Sequence, residues 1–392
     1  MKSKKLHLSS LMFFQFCVVG VFIPVFTLYL KDYLNFTGIQ IGMILSVSSI
    51  PSILAPFISA WIVDKTITSR HFLILCQSGA AALILILSTQ KNYYSVLFTY
   101  LLYMLMLVPT FALVNALIFH NSEDSGSFGA IRLWGTIGWI ASGWLISFIW
   151  KHSNSTETMA LGLKFSAVFS IIVIILTLKL PKLKLDKDKK VSIIPKEAIK
   201  IAIKPEVALL LFAVFLSSIA DKFYVFGTPL FLQSINIAKD NIIIFMTLGQ
   251  ITEIVMLFAL ASIIKRLNFK SIVIIGLVIQ ITRFIIFFSN GPLIVNLIGI
   301  SLNGFIYALF YVTATIYLDN FTDETSRGGI HQIFSLVSVG LAGLVGNYIA
   351  GIIANNPTAT GNINFKFFWI IPTIISVTTL LIVIFFMKKI KE

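Results

Sequence analysis

The amino-acid sequence predicts an all-α membrane protein whose twelve transmembrane helices form two pseudo-symmetric six-helix bundles. The chain of 392 residues is 57% hydrophobic and only 12% charged, with a mean hydropathy of +0.94, a composition that excludes an ordinary soluble domain. Most charged residues lie in the gaps between long apolar runs. A lysine-rich stretch in the middle of the chain divides these runs into two sets of six.

Each apolar run is long enough to cross a bilayer as a helix, which takes about 20 residues. The first run follows three lysines and therefore imitates a signal peptide, but Tyr29–Phe36 has no small-residue cleavage site, so we expect a retained first helix. The first six helices are predicted over about 9–30, 38–62, 72–89, 93–119, 128–150 and 162–180. The second six are predicted over about 207–232, 241–264, 270–288, 291–318, 327–353 and 365–387.

The stretch Lys179–Lys204 contains nine lysines and is interrupted by prolines. It predicts a solvated basic linker over 181–206, between an N-terminal bundle (1–180) and a C-terminal bundle (207–392). Lysine and arginine in short loops mark the cytoplasmic side of a membrane protein. With a cytoplasmic N-terminus, 21 such residues fall on the cytoplasmic side and 6 on the opposite side. We therefore expect both termini in the cytoplasm, and we assign the net charge of +14 to topology rather than to nucleic-acid binding.

Five ionisable residues interrupt the apolar runs, namely Arg132, Asp221, Lys222, Glu253 and Arg283. A charge at the centre of a bilayer costs roughly 2.5–3.5 kcal/mol on insertion scales, so such residues usually face a cavity or a partner. These five positions are therefore where a functional site is expected.

Glu253 is the leading candidate for proton coupling, because it lies halfway along its predicted helix with Gln250 one turn before it on the same face. A carboxyl group in a low-dielectric cavity can switch between its protonated and ionised forms when a nearby charge changes. The alternative is a structural carboxylate paired permanently with Arg132 or another base. Asp221 is the second candidate for the proton carrier.

Arg132, Thr136 and Trp139 form one stripe of a helix and combine a cationic donor, a hydroxyl group and an aromatic ring. Such a set suits a ligand that has several hydroxyl or carbonyl groups and a flat ring. Alternatively, Arg132 is an anchor at the membrane boundary, since it lies about one turn from the helix end. Lys222 is expected to be structural, and Arg283 to be an anchor or a member of an ion pair.

Motifs for nucleotide hydrolysis or metal catalysis, such as GxxxxGK[ST] and HExxH, are absent from the sequence. The two cysteines, Cys17 and Cys76, lie inside apolar runs and predict no disulfide or metal site. We therefore expect no enzyme activity, no cofactor and no metal. A membrane protein of this kind must draw its energy from an ion gradient.

Several segments together resemble the nucleoside:proton symporter family of the major facilitator superfamily, and they cover nearly the whole chain. The strongest is Ile131–Gly138. The others are Gln15-Phe16-Cys17, Val63-Asp64-Lys65, Pro109-Thr110 with Asn115, Gln250-Ile251-Thr252-Glu253, and Thr282-Arg283-Phe284.

This resemblance implies a major facilitator fold and a nucleoside site that includes Arg132, Thr136, Trp139, Gln250 and Glu253. The chain departs from the family pattern in two of its helices. On helix seven it has Asp221 and Tyr224 where family members have Gln and Asn, and on helix ten Asn303, Tyr307 and Ala308 where the pattern is Tyr, Phe and Asp. We expect Asp221, Tyr224, Asn303 and Tyr307 to line the site and to set which solute is carried.

The sequence therefore predicts a monomeric carrier in the bacterial inner membrane that imports nucleosides by proton symport and alternating access. Its partners would be a small polar solute, protons and the lipid bilayer. A carrier of the same fold for sugars, drugs or another small polar solute is the first alternative, because a fold does not dictate a ligand. A non-transporting membrane receptor is the second.

Overall fold

The computed structural model of the protein describes residues 2–54, 68–121, 125–152, 156–180, 196–323, 326–355 and 363–386. Within these ranges, eleven helices are long and apolar enough to cross a membrane, and a twelfth apolar helix, Gly38–Leu54, is shorter. The predicted all-α architecture is confirmed. In chain order the helices are α1 (Lys4–Tyr33), α2 (Gly38–Leu54), α3 (Ser69–Leu87), α4 (Tyr93–Asn121), α5 (Phe128–Lys151), α6 (Thr158–Leu178), α7 (Pro205–Ser234), α8 (Lys239–Ile264), α9 (Phe269–Ser289), α10 (Leu293–Asp319), α11 (Arg327–Ala354) and α12 (Phe365–Phe386).

The predicted helix boundaries agree with these elements to within a few residues at most ends. Residues 55–62 of the predicted second helix lie outside the described residues, as does most of the predicted linker. The described end of the linker contains a short helix, Lys196–Ala202. Its Ala198 is buried in an apolar cluster with Val207 and Ile330, so this part of the linker packs against the helices that follow it.

Helix α1 is not the continuous α-helix that its apolar run predicts. The regular α-helix ends at Gly20, a 3₁₀ turn follows at Ile23–Val25, and a π-helical turn covers Tyr29–Tyr33. Pro24 lies in the 3₁₀ turn and has no N–H to donate to an α-helical ladder, so the helix is interrupted there.

The residues form two compact units, and two helices divide between them. Unit 1 contains Met1–Phe36, Ile50–Ile193 and Asn236–Ile244, whereas unit 2 contains Thr37–Ser49, Ile194–Ile235 and Phe245–Glu392. The first part of α2 thus belongs to unit 2, and the first part of α8 belongs to unit 1. In α8 the change of unit comes just before a break in the helix, since its regular segments end at Met246 and restart at Leu248.

In unit 2, the start of α2 packs tightly against α11. A Cβ atom added to Gly42 would lie 2.7 Å from the Asn347 carbonyl oxygen and from Gly351 Cα, so only glycine allows this approach. The contact is fixed by two hydrogen bonds, because Ser46 Oγ donates to the Leu344 carbonyl at 3.0 Å and Asn347 Nδ2 donates to the Leu45 carbonyl at 3.1 Å.

In unit 1, the start of α8 is held by α5 and by the end of α1. Lys239 Nζ lies 2.7 Å from Asp32 Oδ2 in a salt bridge. Ser147 Oγ donates to the Asp240 carbonyl at 2.8 Å. These polar contacts account for the presence of this segment of α8 in unit 1.

The interiors of the two units are apolar. In unit 1, α1 packs against α5 at Gly138, where an added Cβ would collide with the Phe13 carbonyl oxygen. In unit 2, aromatic rings of α7, α9 and α12 form a cluster in which Trp369 is fully buried and packs edge-on against Phe231, with 5.8 Å between ring centroids. Buried polar and charged residues are therefore exceptions in these interiors.

Candidate functional site

A buried ion pair links three helices of unit 2. The Arg283 side chain, on α9, is completely buried. Its Nη2 donates to Asp221 Oδ1 on α7 at 3.0 Å, and its Nη1 donates to Asn303 Oδ1 on α10 at 2.7 Å. Of the two roles expected for Arg283, anchor or ion-pair member, the structure shows the second. The Asp221 side chain retains 25% exposure, so its carboxylate is held by arginine but remains reachable.

Aromatic rings enclose the guanidinium group of Arg283. Its Cζ lies 4.2 Å from the centroid of the Tyr224 ring and 4.7 Å from that of Phe284. A cation over an aromatic face is stabilised by the ring quadrupole, and more strongly where water is excluded. Tyr224, expected to line the site, therefore contacts the arginine that binds Asp221.

A second polar link joins α7 and α9 about one turn away from the ion pair. Ser217 Oγ donates to Gln280 Oε1 at 2.9 Å, and Gln280 Nε2 donates to the Ser217 carbonyl at 3.1 Å. The Tyr311 hydroxyl, on α10, lies 3.4 Å from Ser217 Oγ. Sequence reasoning missed these three residues. Their spacing was a usable signal, since Ser217 precedes Asp221 by four positions and Gln280 precedes Arg283 by three, which places each pair on one helix face.

A cavity of about 340 Å³ opens beside this network within unit 2. This volume falls within the range of roughly 300–1,000 Å³ that is usual for small-molecule sites. The walls come from α7, α10 and α11, and they combine hydroxyl groups, aromatic rings and two ionisable residues that are adjacent in the sequence, Asp221 and Lys222. The described lining residues are Ser218, Asp221, Lys222, Tyr307, Tyr311, Val312, Thr315, Phe334, Ser335, Ser338 and Val339.

Lys222 lines this cavity together with Asp221, although the two side chains leave α7 about 100° apart. The lysine stem runs over the glycine face of α11. A Cβ added to Gly346 would lie 2.9 Å from Lys222 Cβ and Cγ, and one added to Gly343 would lie 3.7 Å from Lys222 Cε. The glycines of α11 thus make room for a lysine.

Glu253 and Gln250 lie on the second segment of α8, which packs closely on α10. A Cβ on Gly304 would collide with the Glu253 backbone nitrogen, and Thr252 Oγ1 donates to the Ser301 carbonyl at 2.6 Å. Glu253 is partly buried, and the buried Gln250 Oε1 has no hydrogen-bond partner among the described residues. Neither side chain belongs to the described lining of the unit 2 cavity.

Arg132 lies in unit 1, partly buried on α5. Its guanidinium carbon is 4.4 Å from the centroid of the Phe16 ring on α1, a cation–π contact. Phe16 in turn packs edge-on against Phe111 of α4, with 5.4 Å between centroids. Thr136 and Trp139, predicted on the same stripe, are also partly buried on α5.

Unit 1 has its own buried polar network on α1, α3 and α4. Gln77 Nε2 donates to Gln15 Oε1 at 2.7 Å, and Gln15 Nε2 donates to Thr110 Oγ1 at 2.7 Å. All three side chains are fully buried. Gln15 and Thr110 stand in motifs of the family pattern, whereas sequence reasoning missed Gln77. The Val63-Asp64-Lys65 motif lies outside the described residues.

The eleven long apolar helices of the described residues define the class of the protein, a multi-pass membrane protein. The solved structure of the nucleoside transporter NupG superposes with a TM-score of 0.87 at 20% identity, over 97% of this chain and 98% of that one. The POT family transporter PepTSo also shares the fold, with a TM-score of 0.78 at 10% identity, over 98% of this chain and 97% of that one. The predicted major facilitator fold is therefore confirmed.

The family model described as "Nucleoside H+ symporter" matches residues 1–392, so the chain belongs to the nucleoside H+ symporter family. The expected family is thereby confirmed. Nucleoside permease NupG of Escherichia coli K12 is 22% identical over 390 residues, which cover 94% of this chain and 92% of the permease. The xanthosine permease of the same organism is 23% identical over 387 residues, with coverage of 93% and 91%. The putative nucleoside transporter YegT, also from that strain, is 28% identical over 359 residues, with coverage of 88% and 83%.

Proposed function

We propose that this protein imports nucleosides together with protons, by alternating access of two six-helix halves, 1–180 and 207–392, joined by the linker. The family membership supports proton-coupled nucleoside transport over the sugar, drug and receptor alternatives. The observation that carries the proposal is the buried Asp221–Arg283–Asn303 network beside a cavity in unit 2.

The cavity suits a nucleoside in size and in chemistry. The aromatic faces of Tyr307 and Tyr311 can pack against a flat base, and the exposed hydroxyl group of Ser335 can bond a sugar hydroxyl. Tyr307 is 42% exposed and lines the cavity. Asn303 supports this wall by binding Arg283.

Residues outside the cavity wall also belong to the proposed binding site on the strength of the family resemblance. In unit 2 these are Gln250 and Glu253. In unit 1 they are Arg132, Thr136 and Trp139. The partnerless buried Gln250 Oε1 supports a ligand contact, because a buried acceptor without a hydrogen bond costs about 1–3 kcal/mol.

We assign the coupling of proton movement to nucleoside movement to Asp221. It is 25% exposed at the cavity and is bound to a fully buried arginine. Proton binding would neutralise the carboxylate and leave Arg283 without its counter-charge, so protonation must reorganise the contacts among α7, α9 and α10. Glu253, at mid-depth on α8, is the alternative carrier.

Uptake by proteoliposomes under an imposed membrane potential, inside negative, tests this assignment. One proton per nucleoside at 100 mV supplies about 2.3 kcal/mol, so the parent protein should accumulate radiolabelled uridine or adenosine roughly fiftyfold, and a proton uncoupler should abolish this accumulation. Asp221→Asn should equilibrate the nucleoside without concentrating it. If Asp221→Asn still concentrates the nucleoside and Glu253→Gln does not, coupling resides at Glu253.

The termini are proposed to lie in the cytoplasm, the membrane to be the bacterial inner membrane, and the carrier to act as a monomer. The distribution of 21 basic residues against 6 supports the orientation.

A further inference from the structure

Lys222 occupies an unusual position in the cavity wall of unit 2. Its stem is fixed by packing on Gly343 and Gly346 of α11, so its ammonium group is confined to the cavity. It makes no hydrogen bond or salt bridge with any other residue in the described part of the chain. A partly buried lysine with a fixed stem and no direct partner needs an explanation, because a desolvated charge costs several kcal/mol.

The charges around the cavity do not balance. Among the described lining residues, Asp221 is the one acid and Lys222 the one base. The Asp221 carboxylate is already bound by Arg283 at 3.0 Å. Lys222 therefore has no carboxylate of its own among the described lining residues, and its amine is left to a group of the solute. The aromatic and hydroxyl groups of the wall can bind a nucleoside, but they add no negative charge.

From this imbalance, and resting on the proposed function, we infer that Lys222 binds an anionic group of the substrate. The carried solute is then a nucleoside whose base bears a carboxylate or has lost an acidic ring proton. Its flat ring packs on Tyr307 or Tyr311, its sugar bonds the Ser335 hydroxyl, and its negative charge meets the Lys222 ammonium. Lysine binds such a group as a point charge with three rotatable donors.

A competition assay with matched ligands tests this inference. The full-length protein in proteoliposomes would bind radiolabelled uridine, displaced by 5-carboxyuridine or by its neutral isostere, 5-carbamoyluridine. Xanthosine against inosine forms a second arm, which distinguishes a deprotonated purine ring from a carboxylate. We expect the anionic member of at least one pair to displace uridine at a concentration at least about tenfold lower, since charged hydrogen bonds are worth about 1.5–3 kcal/mol.

Variants assign the preference to Lys222. Lys222→Gln should remove the tenfold preference, and Lys222→Arg should keep most of it. Lys366→Gln, at an exposed lysine of α12, serves as the control and should behave like the parent.

Equal displacement by both members of both pairs in the parent would overturn the inference, and this result does not depend on any variant folding. Retention of the preference by a folded Lys222→Gln protein would overturn it as well. If uridine is bound and transported but anionic nucleosides do not compete better, only this inference fails. If no nucleoside is bound at all, the proposed function itself fails.

Discussion

At the scale of single residues, the central feature is a fully buried arginine that holds one acid and one amide. Arg283 donates to Asp221 and Asn303 from the two ends of its guanidinium fork. The sequence identified Asp221 and Arg283 as charges inside the membrane and predicted Arg283 as an anchor or a member of an ion pair. It could not identify the pair, because 62 positions separate the two residues and helix periodicity carries no information on which helices are neighbours.

Removal of Arg283 alone should be far more harmful than removal of both members of the pair. Arg283→Gln leaves the Asp221 carboxylate without its cation, which should lower the free energy of unfolding by about 3–5 kcal/mol. In the double variant with Asp221→Asn, the buried charge is gone and much of that loss should be recovered. Thermal unfolding of the purified proteins measures both effects. If the double variant were no more stable than Arg283→Gln alone, the loss of stability would not come from leaving the Asp221 carboxylate without its cation.

At the scale of elements, the sequence predicts the helices well but not the places where they break. Apolar length determines that a segment spans the bilayer, and all twelve predicted segments are helical where described. Breaks depend on local hydrogen bonding instead. The sequence provided one cue, Pro24, for the 3₁₀ turn in α1, whereas the break of α8 after Met246 has no proline or glycine at its junction residue, Thr247.

The elements that divide between the units occupy equivalent places in the two halves. Helices α2 and α8 are six apart in chain order. The first part of α2 belongs to unit 2, although the helices that follow it belong to unit 1. The first part of α8 belongs to unit 1, although the helices that follow it belong to unit 2. In unit 2, this arrangement depends on the contact between Gly42 and Gly351, because a side chain at Gly42 meets backbone atoms.

An alanine at position 42 should separate α2 from α11. Its Cβ would lie 2.7 Å from the Asn347 carbonyl oxygen and from Gly351 Cα, so backbone must move and the neighbouring hydrogen bonds must lengthen. We expect Gly42→Ala to destabilise the protein by about 1–3 kcal/mol, measured as a lower midpoint in a thermal unfolding assay.

Gly129→Ala is the matched control for this substitution, because nothing lies within 4 Å of an added Cβ at Gly129. It should leave stability unchanged or raise it slightly, since alanine is the better helix former. A Gly42→Ala midpoint equal to that of Gly129→Ala would show that the α2–α11 contact is not tight.

At the scale of the whole molecule, each of the two units buries polar groups between three of its helices. In unit 1, α1, α3 and α4 are joined by Gln15, Gln77 and Thr110. Six helices later in unit 2, α7, α9 and α10 are joined by two such links. The sequence predicts two pseudo-symmetric six-helix bundles. The matching positions of the polar networks support this symmetry. Among the described residues, the network of unit 2 includes an ion pair, whereas the network of Gln15, Gln77 and Thr110 in unit 1 is neutral.

The proposed topology can be measured with single cysteines. The two native cysteines, Cys17 and Cys76, are both buried, so background labelling of the folded protein should be low. Lys151 and Lys265 are both exposed at helix ends and are proposed to lie on opposite sides of the membrane. In intact cells, a membrane-impermeant maleimide should label Lys151→Cys and spare Lys265→Cys. The reverse pattern would contradict cytoplasmic termini.

The most direct test of proton-coupled nucleoside transport is the flux of protons that a nucleoside itself drives. The purified protein is reconstituted in vesicles that contain a pH-sensitive dye, with no imposed gradient, and uridine or another nucleoside substrate is added outside. If protons enter with the nucleoside, the lumen acidifies as the nucleoside enters, and Asp221→Asn vesicles take up the nucleoside without this acidification. Uptake by the parent protein with no change in internal pH would contradict proton symport.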